Sequence, residues 1–131
     1  MSNVVHALAY SAEERAMPYI KLETNAEVLY DKEERLISGF FSAIKRITGK
    51  SEDVTQIVID DKRKLIMGRS KEPTAHVSLK AINLTKEKAE EASKAICDIL
   101  ADVMGIKGNR VFIAFEDFSG AMWGKDGKTL S

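Results

Sequence analysis

The chain has 131 residues, 44% of them hydrophobic, enough to bury one core in one domain. Its 20 basic and 20 acidic residues cancel, which argues against a dominant nucleic-acid or anionic-membrane partner while leaving room for a local basic pocket. A single cysteine, Cys97, excludes an internal disulfide; His6 and His76 lack the companions a zinc site needs, and no apolar run nears the ~20 residues that span a bilayer.

In chain order, residues 1–17 read as an extension and 18–131 as the domain. The stretch Val4-Val5-His6-Ala7-Leu8-Ala9-Tyr10 is short and follows no basic residue, so it makes a poor signal peptide. A soluble, cytoplasmic protein is the default expectation. Residues 11–16 suit one helical turn without commitment to a core. Pro18 opens a strand-like run, Tyr19-Ile20-Lys21-Leu22-Glu23-Thr24, where its missing N–H costs nothing. Residues 31–48 carry Leu36, Ile37, Phe40, Phe41, Ile44 and Ile47 at helical spacing, and Gly49 suits the C-terminal stop. Residues 54–60 are β-branched and strand-like, and Asp61-Lys62-Arg63-Lys64 reads as a turn or solvated tip. Residues 75–81 alternate with period two, predicting a strand with one buried face. Thr85 is the expected N-cap of a second helix, with Ala89, Ala92, Ile96, Leu100 and Val103 on one face and Gly105 as its stop. A last strand is expected over 110–116, followed by a glycine-rich tail that holds Trp123, the only tryptophan.

The two halves repeat at an offset of 56 positions: Leu36 aligns with Ala92, Ile44 with Leu100, Gly49 with Gly105, Ile57 with Ile113 and Asp61 with Asp117. Each half reads strand–helix–strand, and a right-handed crossover makes its two strands parallel. The expected fold is α/β: two pseudo-repeated β-α-β units forming one four-stranded sheet with two helices on one face. The other face, with Gln56, Val58, Ser78, Lys80, Phe112 and Ala114, mixes polar and apolar groups in a way that suits partial cover by another copy of the chain.

With its strand-opening proline, the doubled unit resembles the macrophage migration inhibitory factor (MIF) branch of the tautomerase superfamily. The resemblance rests on Met17-Pro18, Thr48-Gly49-Lys50, the turn Met67-Gly68-Arg69-Ser70-Lys71-Glu72-Pro73, Ser78-Leu79-Lys80-Ala81-Ile82, Arg110-Val111-Phe112-Ile113 and Trp123-Gly124, in order over residues 17–131. It implies a homotrimer with active sites between subunits and, as activity, phenylpyruvate tautomerase or dopachrome isomerase chemistry that interconverts keto and enol forms. The implied substrate is a small aromatic 2-keto acid or similar compound, with no cofactor and no metal. Animal members also act as secreted cytokines, so unconventional secretion would follow from the resemblance alone.

By the same resemblance, Pro18 is the catalytic base, provided its ring nitrogen is the free chain terminus; inside a longer chain that nitrogen is an amide without useful basicity. Nearby cations and burial would lower the pKa of a free amine. Lys50 is implied to depress that pKa and hold a substrate carboxylate, although a cation also suits a helix C-terminus without any ligand. Ile82 stands where the family offers a backbone N–H, and its side chain by itself reads as core. Phe112 replaces a tyrosine that reaches in from a neighbouring subunit and Ala114 replaces an asparagine, so two polar contacts are lost. Trp123 is expected at the pocket mouth or in plain packing. Lys125 replaces an aromatic residue and offers an additional cation, and Leu130 replaces a phenylalanine. The positions of a Cys-x-x-Cys found in some members hold Thr74 and Val77, so that thiol chemistry is not expected.

Sixteen residues precede Met17, where the family's enzymes begin with Met-Pro. A later start or processing would free Pro18; a retained extension would leave a non-catalytic MIF-like trimer or a small-molecule-binding module. A ferredoxin-like regulatory module is a separate alternative. A single-strand RNA binder is a weaker one, because the aromatic run at 110–115 lacks the glycine of that motif and sits in a neutral chain.

Overall fold

The structure, a computed structural model, describes residues 17–130. The expectations for residues 1–16 lie outside the described residues.

Strand β1 (Tyr19–Thr24) alternates as its sequence dictates, burying Ile20, Leu22 and Thr24 on one side. Helix α1 (Tyr30–Thr48) lays Leu36, Phe40, Ala43, Ile44 and Ile47 onto that side. Asp31 and Glu33 in its first turn and Lys45 and Arg46 in its last complement the helix dipole. Gly49 stops it in the left-handed conformation (φ 79°), its N–H donating to the Lys45 carbonyl. Strand β2 (Gln56–Asp60) follows, then β3 (Ala75–Ile82), helix α2 (Lys86–Met104) and β4 (Val111–Phe118). The α2 cap is the expected one: the Thr85 hydroxyl accepts from the Lys88 N–H. Gly105 ends α2 at φ 68°, as Gly49 ends α1.

The sheet order is β2-β1-β3-β4, with β1 parallel to β2, β3 parallel to β4, and β1 antiparallel to β3. The parallel pairs are the two repeated units; the antiparallel pair joins them. Both helices pack on one face, over a core that includes Leu22, Phe40, Leu79, Ile96 and Leu100. Fully burying one such side chain stabilises by roughly 1.5–3 kcal/mol.

Three local differences from the sequence reading have physical causes. Residues Glu52–Val54 form a 3₁₀ turn, closed by the Thr55 N–H on the Glu52 carbonyl, so β2 begins only at Gln56. Arg110 closes another such turn, Gly108–Arg110, so β4 begins at Val111 and runs on to Phe118. The tail folds back as a short hairpin, β5 (Gly124–Lys125) on β6 (Lys128–Thr129), turned by Asp126 and Gly127, both at positive φ.

The repeat extends to its connections. The Asp61 carboxylate accepts from the Val28 N–H at 2.8 Å, and the Asp117 carboxylate accepts from the Leu84 N–H at 2.9 Å. Each carboxylate, just past or near the end of the second strand of its unit, ties down the segment leading into that unit's helix.

Candidate functional site

The chain begins its described course at Met17, whose φ of 42° is unusual for a side chain of its size. A residue before proline is normally driven to extended backbone by the proline ring. Pro18 is buried, and its carbonyl accepts from the Gln56 N–H at 3.0 Å. Because β1 and β2 are parallel, that bond brings the entrance of β2 beside the entrance of β1.

Around Pro18 lies a pocket of about 250 Å³ built from three separate segments. Met17 and Pro18 form one wall, the turn and entrance of β2 (Asp53, Val54, Thr55 and Gln56) another, and Trp123, Gly124 and Lys125 of the tail a third. The tail is held in this place by several contacts. The Leu130 N–H donates to the carbonyls of Gly120 (2.9 Å) and Trp123 (3.1 Å), and Trp123 meets the Phe118 ring edge-on at 5.2 Å between centroids. Thr55 is fixed by its hydroxyl, which donates to the Ser51 carbonyl at 2.9 Å. The result is an apolar surface of proline and indole rings bordered by one carboxylate, one carboxamide and one ammonium. Proline and indole rings offer contact to a flat apolar group, and the ammonium offers attraction to an anionic one.

Of the residues singled out in the sequence, Pro18, Trp123 and Lys125 meet in this pocket. The described residues that line it do not include Lys50, Ile82, Phe112, Ala114 or Leu130. Lys50 is half-buried just beyond α1, its N–H donating to the Thr48 hydroxyl at 3.2 Å. Ile82 is 2% exposed but lies outside the cluster under the helices; strand alternation sends it to the other sheet face, across from Phe118, the ring that supports Trp123. Leu130 acts through its backbone, as above. Phe112 (62% exposed) and Ala114 lie on β4, three strands from β2, or about 14 Å at the usual spacing. They face the side of the sheet away from the helices and cannot reach the Pro18 pocket of their own chain.

Asp53 and Gln56 are pocket residues that the sequence reading missed. The signal was present in the repeat: parallel strands within a unit start side by side, so whatever precedes β2 must adjoin whatever precedes β1. Among the described residues no group of three or more His, Cys, Asp or Glu is placed to hold a metal ion.

Two parallel β-α-β units in one sheet, with a small pocket where the first unit's strands begin, define the class of small α/β proteins with the tautomerase architecture. The comparisons narrow this. The family described as macrophage migration inhibitory factor (MIF) matches over residues 17–131. The chain is 30% identical over 117 residues to a macrophage migration inhibitory factor of Xenopus laevis, covering 88% of this chain and 100% of that protein. It is 28% identical over 120 residues to a D-dopachrome decarboxylase of Mus musculus, covering 88% of this chain and 98% of that protein. Among solved structures, a macrophage migration inhibitory factor homologue from Prochlorococcus marinus superposes with a TM-score of 0.79 at 24% identity, covering 86% of this chain and 99% of that one; this likeness bears on the fold alone. The chain belongs to the macrophage migration inhibitory factor family.

Proposed function

We propose that this protein is a keto–enol tautomerase of small aromatic 2-keto acids, with the Pro18 nitrogen as general base when Pro18 is the chain terminus. Family membership supports a tautomerase-type or MIF-like role, and a relative named D-dopachrome decarboxylase supports a small-molecule substrate. The observation that carries the reading is the meeting of Pro18, Trp123 and Lys125 in one small pocket.

In this reading a free Pro18 amine removes the proton on the carbon next to the carbonyl. The bond electrons move into the new C=C and the C=O pair moves onto oxygen. That oxygen takes a proton from solvent to become the enol hydroxyl, the protonated amine gives its proton up to solvent, and the reverse direction returns a proton from the amine to carbon. The Trp123 ring supports the apolar body and the Lys125 ammonium attracts the carboxylate. Lys50, Ile82, Phe112, Ala114 and Leu130 would join from the surrounding shell or from a neighbouring subunit of a homotrimer. An endoprotease that must cut a Met–Pro bond at a buried proline is poorly placed, so a start at Met17 with removal of that methionine is the simpler route.

The test uses chains beginning at Met1 and at Met17, assayed by loss of phenylpyruvate enol absorbance, with intact mass reporting which terminus each carries. The chain that ends at a free Pro18 should be active, and Pro18→Gly in it should lose about 10²–10⁴ of the rate, the usual contribution of a general base. Equal activity of all three chains would refute the mechanism. Saturable ligand binding with no turnover in any of them would favour the alternative, a binding module of MIF-like fold.

A further inference from the structure

The sheet brings four side chains into one row at the end where Pro18 enters. Register pairs Gln56 with Tyr19, Tyr19 with Lys80 and Lys80 with Glu116, one residue from each strand. Their neighbours Ile57, Ile20, Leu79 and Phe115 lie in or against the core, so all four face away from the helices. Gln56 also lines the Pro18 pocket, so the row begins at that pocket and crosses the sheet to β4.

Lys80 is the cation of this row. Its ammonium lies 5.5 Å from the centre of the Tyr19 ring and 4.0 Å from the Glu116 carboxylate. Tyr19 directly follows Pro18 and sits about 5 Å from its partner Lys80 across the antiparallel pair. A step of about 3.4 Å back along β1 leaves Pro18 and the Lys80 backbone roughly 6 Å apart. That gap is within the length of a lysine stem. Glu116 belongs to β4, one further strand spacing of about 4.8 Å from β1. Opposite charges at unequal distances do not cancel, and the nearer one sets the sign. The field of the pair at Pro18 is therefore positive.

The other charged groups at this end of the sheet do not reverse that sign. Asp53 and Lys125 line the pocket with opposite charges. Lys21 lies one row further along, beside Ser78. Asp117 accepts from the Leu84 N–H and, by alternation, lies on the helix side of β4. Lys50 is half-buried beyond α1 and adds a positive charge.

We propose that Lys80 is a positioning residue for the Pro18 base: its ammonium, moderated by Glu116, disfavours a proton on the free Pro18 amine. This rests on the reading of Pro18 as the chain terminus. The plain alternative is a solvated cross-strand ion pair, which adds little stability and does not act on Pro18. Cover of this face by another copy of the chain excludes water and strengthens the effect.

The experiment uses chains that begin at Met17, which retain every described element and core residue, with intact mass establishing that Pro18 is the terminus. The protein has two prolines, so carbon-13 proline labelling gives one set of signals for Pro18 and one for Pro73. Pro73 has an amide nitrogen that does not titrate and is the internal reference. The Pro18 shifts are followed against pH at low ionic strength. Lys80→Met should raise the titration midpoint by about half a pH unit, the effect of one charge at ~8 Å in a watery dielectric. Glu116→Gln should lower the midpoint, and Lys80→Arg should leave it in place. Salt at about 1 M should remove most of the Lys80→Met difference, because the screening length falls to about 3 Å. A midpoint unmoved by Lys80→Met, a rise with Glu116→Gln, or a Lys80→Arg shift as large as that of Lys80→Met would each overturn the proposal. The Pro73 signals report whether each variant keeps the fold, and Glu116→Gln with Lys80→Arg carries the test where Lys80→Met does not. Enol assays on the same chains keep the two readings apart. An inactive chain whose midpoint moves as expected refutes the tautomerase and supports the role of Lys80; an active chain whose midpoint ignores Lys80 refutes that role alone.

Discussion

Two buried threonines show how single hydroxyls tie distant segments together. The Thr24 hydroxyl donates to the Thr74 carbonyl at 2.7 Å and accepts from the Ala26 N–H at 3.1 Å. The Thr74 hydroxyl donates in turn to the Arg110 carbonyl at 2.6 Å. Thr74→Val keeps the shape and removes that donor, so it should cost about 1–3 kcal/mol of unfolding free energy in a denaturant titration; an unchanged midpoint would contradict the assignment. Cys97, expected as a small helix residue near the core, is half-buried and packs against it. Burial raises its thiol pKa above the ordinary value, and the Asp98 charge adds to the effect. It should therefore alkylate with iodoacetamide at pH 8.5 more slowly than an unstructured cysteine, and Asp98→Asn should speed it. A thiol that holds its proton more tightly when folded contributes stability that is complete below its unfolded pKa. That contribution is lost as pH rises through the folded value, so the effect lies on the alkaline side. Of the pocket residues, Pro18, Trp123 and Lys125 were legible because they are chemically distinctive. Asp53 was not, because nothing local separates it from any exposed turn acid.

At the scale of elements, the repeat is a mechanical device as well as a pattern. Asp61 and Asp117 are 56 positions apart, and so are Val28 and Leu84, whose N–H groups they receive. The pairing of Asp61 with Asp117 was visible in the alignment of the halves, but their use was not, since each bond spans 33 residues. Asp117→Ala leaves the Leu84 N–H without its carboxylate at the entrance to α2. A cost of about 1.5–3 kcal/mol is expected for a bond to a charged acceptor, read as a lowered thermal midpoint. An unaltered midpoint would show that water replaces the carboxylate without penalty. Helix stops at Gly49 and Gly105 and the Thr85 cap followed from sequence directly, because capping depends on residues within one turn. Strand β2 starts two residues later than the β-branched run that begins at Val54, a residue that is strand-like in isolation. The bond that closes its turn, from Thr55 to Glu52, outweighs that preference.

For the whole molecule, the sheet face away from the helices is the open question of surface chemistry. Tyr19, Lys80 and Glu116 share one row across it: Lys80 lies 5.5 Å from the centre of the Tyr19 ring and 4.0 Å from the Glu116 carboxylate. Exposed Phe112 and Ala114 lie on the same face of β4, a mixture suited to contact with another copy of the chain. Light scattering should therefore report an oligomer, and Phe112→Asp should shift it towards monomer while leaving the circular dichroism unchanged. A wild-type monomer at micromolar concentration would remove this expectation and, with it, the shared site at Pro18.

The sequence by itself determined the four sheet strands and two helices, their order, the two-fold repeat and the parallel strands within each unit. These follow from periodicity, capping and chain handedness, which act between near neighbours or through a general rule of crossover. Tertiary structure alone decided which side chains share a pocket. The Pro18 pocket gathers a chain entrance, a turn before β2 and a C-terminal tail; the loop before β3 is held by Asn25 and Arg110, whose side chains donate to the carbonyls of Ser70, Lys71, Glu72 and Pro73. Those contacts are set by sheet register and by backbone carbonyls that any residue could present, so residue identity along the chain carries almost no trace of them.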